Sequence, residues 1–269
     1  MDFYSYGVLW RYMNKILILL MVLSLHYSGL RCGSIRRFSH VKSFYKDIAE
    51  TTIELAVKYN TPPAVIFAMA GLESGYGEGY IAQITGNILS LGANKGETRL
   101  PPLNLPILLE TGNILFDKKV ISKYHDDELE WKMRPGSLKK DYRPQTCRGT
   151  ENNLAYFKYH PKKRKAARKQ NIEDFMSKWL NVRYKFPVFA ETRHYLDSMV
   201  KEYGKEVLFS PELNMSFIKR IGGKPGSFNY RKEWLEKVIW IMENAELVQL
   251  TRSMYYDKLS FEEAWLIHN

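Results

Sequence analysis

Nine consecutive residues, Ala64-Val65-Ile66-Phe67-Ala68-Met69-Ala70-Gly71-Leu72, carry no polar side chain. A helix of this composition is apolar on every side, so other elements must surround it. Thr61-Pro62-Pro63 stands just before it. Thr61 can cap, and Pro62 at the first helical position gives up no hydrogen bond. Gly75, Gly77 and Gly79 close the run and open a turn. The sequence therefore predicts a central buried helix that the rest of the chain wraps. With 269 residues, 45% of them hydrophobic, there is enough apolar material to do so. That composition excludes wholesale disorder, a collagen-like rod and a multi-span membrane protein.

Helical periodicity predicts the wrapping elements at Val41–Tyr59, Tyr80–Ile84, Asn171–Leu180, Thr192–Tyr203, Glu212–Ile221, Lys232–Leu250 and Ser260–His268. Ser260 and Glu263 make a capping box for the last. Between Asn94 and Thr150 the pattern breaks, punctuated by Pro101, Pro102, Pro106, Pro135 and Pro144. Only Lys119–Tyr124 reads there as a strand. Long irregular stretches in a compact domain often form binding or active-site loops. The fold class expected is mainly α (α+β): one helical domain with a small β-hairpin or irregular insertion lining a groove.

The N-terminus reads as an export signal. Met13-Asn14-Lys15 precedes an apolar run, Ile16–Leu25, of about ten residues, against the roughly 20 that a spanning helix needs. Residues 1–34 are thus expected to be a signal peptide, with Met13 as an alternative start, and residues 35–269 the functional domain. An uncleaved anchor helix and lipidation at Cys32 are the competing readings, although Arg31 stands where a lipobox wants a small residue. Either way the protein is expected in the periplasm or cell envelope. Cys32 and Cys147 make no disulfide framework.

The net charge is +11. Much of it lies in Pro161-Lys162-Lys163-Arg164-Lys165-Ala166-Ala167-Arg168-Lys169, either a solvated helix face or loop or a surface for an anionic polymer. In an exported protein the anionic cell wall is the expected partner, and nucleic acid is not. A monomer without cofactor is expected.

Leu72-Glu73-Ser74-Gly75-Tyr76-Gly77 is the sharpest chemical feature. A carboxylate closes the most apolar helix where glycines break it. Burying a carboxylate is costly unless it is paired or protonated. A Glu held partly neutral by apolar surroundings is what a general acid for glycoside cleavage requires. The structural alternative is a cap or an Arg pair.

Pro62–Ala93 resembles the glucosaminidase family of peptidoglycan hydrolases, of autolysin and flagellar-muramidase type, in the lysozyme-like superfamily. Two segments carry the resemblance: Ala70–Gly77, and the turn Asn87-Ile88-Leu89-Ser90-Leu91-Gly92. Tyr156-Phe157-Lys158-Tyr159 and the stretch from Phe228 through Tyr230 to Val238 are similar more thinly. The resemblance implies a lysozyme-like fold, Glu73 as catalytic acid, and Tyr76 and Tyr159 as groove residues; Asn87, Tyr124 and Tyr230, which stands close to Phe228 where the family has its tyrosine, are further candidates for substrate binding. It also implies a second acidic residue from the insertion. Asp127 and Glu128, in Tyr124-His125-Asp126-Asp127-Glu128, are the leading candidates, with Asp141 in reserve. A solvated acidic turn is the alternative for that cluster. One histidine beside acids is not a metal site, and no metal is expected. Trp179, Trp234, Trp240 and Trp265 fall in predicted helices and read as core.

The function expected is an exported β-N-acetylglucosaminidase cutting β-1,4 bonds of the wall glycan. A lytic transglycosylase using Glu73 alone and a non-catalytic wall-binding scaffold are its rivals.

Overall fold

The computed structural model describes residues 35–181 and 187–267. The expected signal segment, Cys32 included, lies outside the described residues, as does His268. The architecture is mainly helical, with two small antiparallel two-stranded sheets.

Helix α1 (Ser39–Lys58) buries one stripe, including Val41, Phe44, Tyr45, Ile48, Leu55 and Ala56, at helical spacing. Helix α2 (Pro63–Ser74) is the predicted apolar run, and every residue from Pro63 to Gly71 is buried. Helices α8 (Pro211–Ile221), α9 (Lys232–Asn244) and α10 (Leu247–Tyr255) pack around it with α1, so it is the axis of the core. Helix α7 (Pro187–Tyr203) and α11 (Phe261–Ile267) complete the outer layer.

Two corrections concern helix limits. The stretch read as one helix over Lys232–Leu250 is two, separated at Ala245 and Glu246. Glu246 adopts φ +49, a left-handed conformation that interrupts the ladder. The helix expected from Asn171 begins ten residues earlier: α6 runs over Pro161–Ser177 and takes in the basic run. Its polarity hid the period, because its partners are acidic. Arg168, Lys165 and Lys169 pair with Asp47, Glu50 and Glu54 along α1.

The insertion corrects the strand assignment. Lys119–Tyr124 is not a strand. Lys118–Ile121 is one helical turn, α4, because the Asp117 carboxylate accepts from the Lys119 N–H and caps it. The strands are β1 (Arg99–Leu100), β2 (Leu103–Leu108), β3 (Leu129–Arg134) and β4 (Ser137–Lys140). They pair β1 with β4 and β2 with β3, Leu103 opposite Arg134 and Leu108 opposite Leu129. Pro106, which argues against a strand in sequence, sits within β2 opposite Trp131.

Candidate active site

Glu73 is the penultimate residue of α2. Beyond it Gly75, Tyr76 and Gly77 all have positive φ, +56, +55 and +79. The chain reverses through three left-handed residues, of which only the non-glycine Tyr76 is strained. Ser74 fastens this turn: its hydroxyl donates to the Ala70 carbonyl (2.6 Å) and accepts from the Gly77 N–H (2.8 Å). Gly79 closes it by donating its N–H to the Ser74 carbonyl at 2.9 Å. Helix α3 (Tyr80–Thr85) follows, ending at Gly86.

The Glu73 carboxylate is partly buried. Its Oε1 accepts a 2.7 Å hydrogen bond from the Trp234 indole N–H, on α9. Among the described residues its Oε2 has no hydrogen-bond partner. Trp234 is buried, and Phe228 packs against it with ring centroids 5.5 Å apart. Phe228 also lies edge-on to Trp179 (6.3 Å). Phe228 and Trp179 are half-buried and pack with Trp234 as one aromatic cluster on the core. Trp234 is core, as the sequence suggested, but its bond to Glu73 was not foreseen: the two are 161 residues apart, and no local signal links them. Trp265 is core, but Trp240 is 48% exposed, because α9 buries Trp234, Val238, Ile241 and Met242 and turns Trp240 away.

A cavity of about 170 Å³ adjoins Glu73, lined also by Ser74, Tyr80, Ile81, Asn87 and Ser90. The Ser90 hydroxyl reaches the Glu73 carbonyl at 3.4 Å, and Lys139 of β4 donates to the Ser90 carbonyl at 2.6 Å. The turn from Asn87 to Leu91 thus forms the cavity's second wall.

That turn is held by a buried polar network. The Asn87 amide donates to the Leu91 and Lys140 carbonyls and accepts from Leu91 N–H and the Asn171 amide. The Asn171 side-chain oxygen accepts from the Ile88 and Leu89 N–H groups, both at 2.9 Å. Below it, Lys140 bridges Asp174 (2.7 Å) and Glu97 (2.6 Å), and the Tyr142 hydroxyl donates to Asp174. Burial pushes the Asp174 carboxyl up, but the bonds from Lys140 and Lys178 outweigh it and hold it below its ordinary 3.8. Asn87 therefore lines the cavity with its polar atoms committed to the fold. Tyr142 is likewise buried within this network.

The other anticipated residues lie elsewhere. Asp126, Asp127 and Glu128 form one exposed 3₁₀ turn before β3. Glu128 accepts from the His125 N–H at 2.7 Å, closing a capping box, and none of the three lines the Glu73 cavity. Asp141, the reserve, is corrected to a structural role: it is buried in a two-pronged pair with Arg143, its second oxygen 2.6 Å from the guanidinium. Tyr76 packs among His40, Phe44 and Tyr45, on a different cleft. Tyr159 is half exposed, and its hydroxyl donates to Asp117 at 2.6 Å. Burial raises the Asp117 carboxyl, but Tyr159, Lys158 and the Lys119 N–H together hold it below 3.8. Tyr124 is half-buried just past α4, and Tyr230 is exposed before α9. Cys147 is a buried free thiol. Among the described residues no cluster of His, Cys, Asp or Glu could hold a metal ion, and no helix is long and apolar enough to cross a membrane.

No family model matches the chain, and neither does any curated protein sequence. Among solved structures the chain resembles the catalytic domain of the autolysin Auto from Listeria monocytogenes. The two share 15% identity at a TM-score of 0.41, over 79% of this chain and 88% of that one.

Proposed function

We propose that the protein is a peptidoglycan-cleaving glycosidase in which Glu73 is the general acid. One observation carries the reading. A carboxylate at the end of a buried helix is held at one oxygen by Trp234, while its other oxygen has no partner among the described residues and the residue lines a cavity. An acid fixed at one oxygen and free at the other can present a proton to a glycosidic oxygen in a constant direction. The half-buried rings of Phe228 and Trp179 suit the apolar faces of sugar rings.

An inverting cut needs a base that activates water on the face of the sugar opposite the acid, a role for Asp127 or Glu128 if the substrate brings them together with Glu73; in a retaining cut the substrate's own acetamido oxygen attacks the anomeric carbon instead, and water later opens that intermediate. The lining of the Glu73 cavity, which contains no second carboxylate, favours the acetamido route, and equally a transglycosylase that closes an anhydro end without water. Mass spectrometry of the products separates these. A new reducing end marks hydrolysis, and an anhydro end marks transglycosylation. If the protein base operates, Asp127→Asn or Glu128→Gln lowers the rate well over tenfold; if the substrate assists, both leave it within about twofold.

Export follows from the apolar run at Ile16–Leu25. A mature N-terminus found after Leu25 by terminal sequencing supports it, and residues 13–34 intact on soluble cytoplasmic protein refute it.

A further inference from the structure

A second and larger cleft, of about 700 Å³, lies on the other side of the α2–α3 turn, between α1 and α6. Its size is that of a ligand site. It shares Gly79 and Tyr80 with the Glu73 cavity, so the two are neighbours across one strip of chain. Arg164 and Arg168 stand one helical turn apart on the α6 wall. Arg168 is buried, lies over the Phe44 ring at 5.4 Å and pairs with Asp47 at 2.7 Å. Arg164 has no carboxylate partner among the described residues, and the buried Nε atoms of both arginines lack an acceptor. Burial lowers the Arg168 guanidinium from its usual value, Asp47 opposes this, and the neighbouring Arg164 lowers it further. An anion at Arg164 would relieve that repulsion. Glu78, in the turn across the cleft, is exposed and also unpaired among the described residues.

Gly77 ties this cleft to the catalytic turn. A Cβ there would stand 2.7 Å from an Arg168 guanidinium nitrogen, so the motif's second glycine makes room for the arginine.

We propose that this cleft is a subsite for the peptide stem carried by the glycan strand, with Arg164 taking a stem carboxylate and Glu78 a stem ammonium group. An unpaired guanidinium and an unpaired carboxylate among the described lining residues fit a zwitterionic peptide better than a phosphate polymer, which Glu78 would repel. The assignment rests on the glycosidase reading for its choice of ligand, but binding can be measured without catalysis.

The test is calorimetry on the full chain carrying Glu73→Gln, titrated with N-acetyl-L-alanyl-γ-D-glutamyl-diaminopimelate, whose blocked N-terminus leaves the diamino acid's ammonium as its one cation. The expected result is saturable binding, weakened tenfold or more by Arg164→Gln. Glu78→Gln, at an exposed position, should weaken this peptide but not one ending in alanine instead of the diamino acid. Absence of binding overturns the proposal. So does binding that both variants leave unchanged, or inorganic phosphate displacing the peptide at lower concentration than the peptide itself binds. Stem binding by a wild-type protein that cuts no wall glycan would remove the glycosidase reading and leave the subsite standing.

Discussion

At the scale of single residues, Glu73 and Trp234 divide one task. In the proposed reaction Glu73 would supply the proton, and Trp234 fixes the carboxylate that would carry it. A hydrogen bond to a charged group is worth about 1.5–3 kcal/mol. Trp234→Phe keeps the ring against Phe228 and removes only the N–H donor. The rate on purified sacculi should fall about tenfold or more with the thermal midpoint nearly unchanged. An unaltered rate would show that the bond does not orient the acid. Glu73 was legible because its signal is local: an apolar run, a carboxylate and three glycines within sixteen residues. Trp234 was not, because a contact formed across the core leaves no trace at either end of the sequence separation. The tyrosines taken from the family resemblance fared differently. Tyr76 and Tyr159 follow their motifs, yet their surroundings are set by His40, Phe44 and Asp117, residues outside those motifs.

Among elements, the turn from Asn87 to Leu91 depends on the network beneath it. Lys140 from β4, Asp174 and Asn171 from α6, and Asn87 from the turn lock three segments together. Because Asp174 is held below 3.8 in the folded protein, its pairing contributes stability that is fully present above that pH. The contribution is lost as pH falls through the lower folded value. Urea titrations across pH 2–6 should show this acid-side loss, and Asp174→Asn should flatten it. At neutral pH the same change should cost about 3 kcal/mol, since it leaves Lys140 a weaker set of partners in a buried site. An unchanged acid limb in the variant would refute the assignment. The helices that wrap α2 were readable from apolar period. The misread segments share a cause: Lys119–Tyr124 has strand-like residues but is one capped turn, and β2 and β3 gain their pairing from each other rather than from their own composition. The break at Glu246 carries neither glycine nor proline to announce it.

Over the whole molecule, charge is sorted by partner. The α6 residues turned toward α1 pair with its acids, while Lys162 and Lys163 remain exposed. Such a surface attracts an anionic wall over a range set by ionic strength. Retention on purified sacculi should weaken steeply between low and physiological salt. Replacing Lys162 and Lys163 by glutamine should remove much of that salt dependence in a cosedimentation assay; dependence kept in full by the double variant would place the attraction elsewhere. The mainly helical fold was legible, because its central helix left the rest of the chain little choice but to surround it. The polar cleft between α1 and α6 was not, because it is assembled from a turn and two helices whose charges pair only in three dimensions.

The central claim is that Glu73 delivers the proton that breaks a glycosidic bond. Its most direct measurement is mass spectrometry of muropeptides released from purified sacculi by the wild-type protein and by Glu73→Gln, with circular dichroism confirming that both are folded. Gln keeps the shape and can still accept the Trp234 bond, but it has no acid proton to give. The wild type should release glycan fragments with new ends, and the variant should release them about 10²–10⁴-fold more slowly. Release by Glu73→Gln within twofold of the wild type would contradict the account.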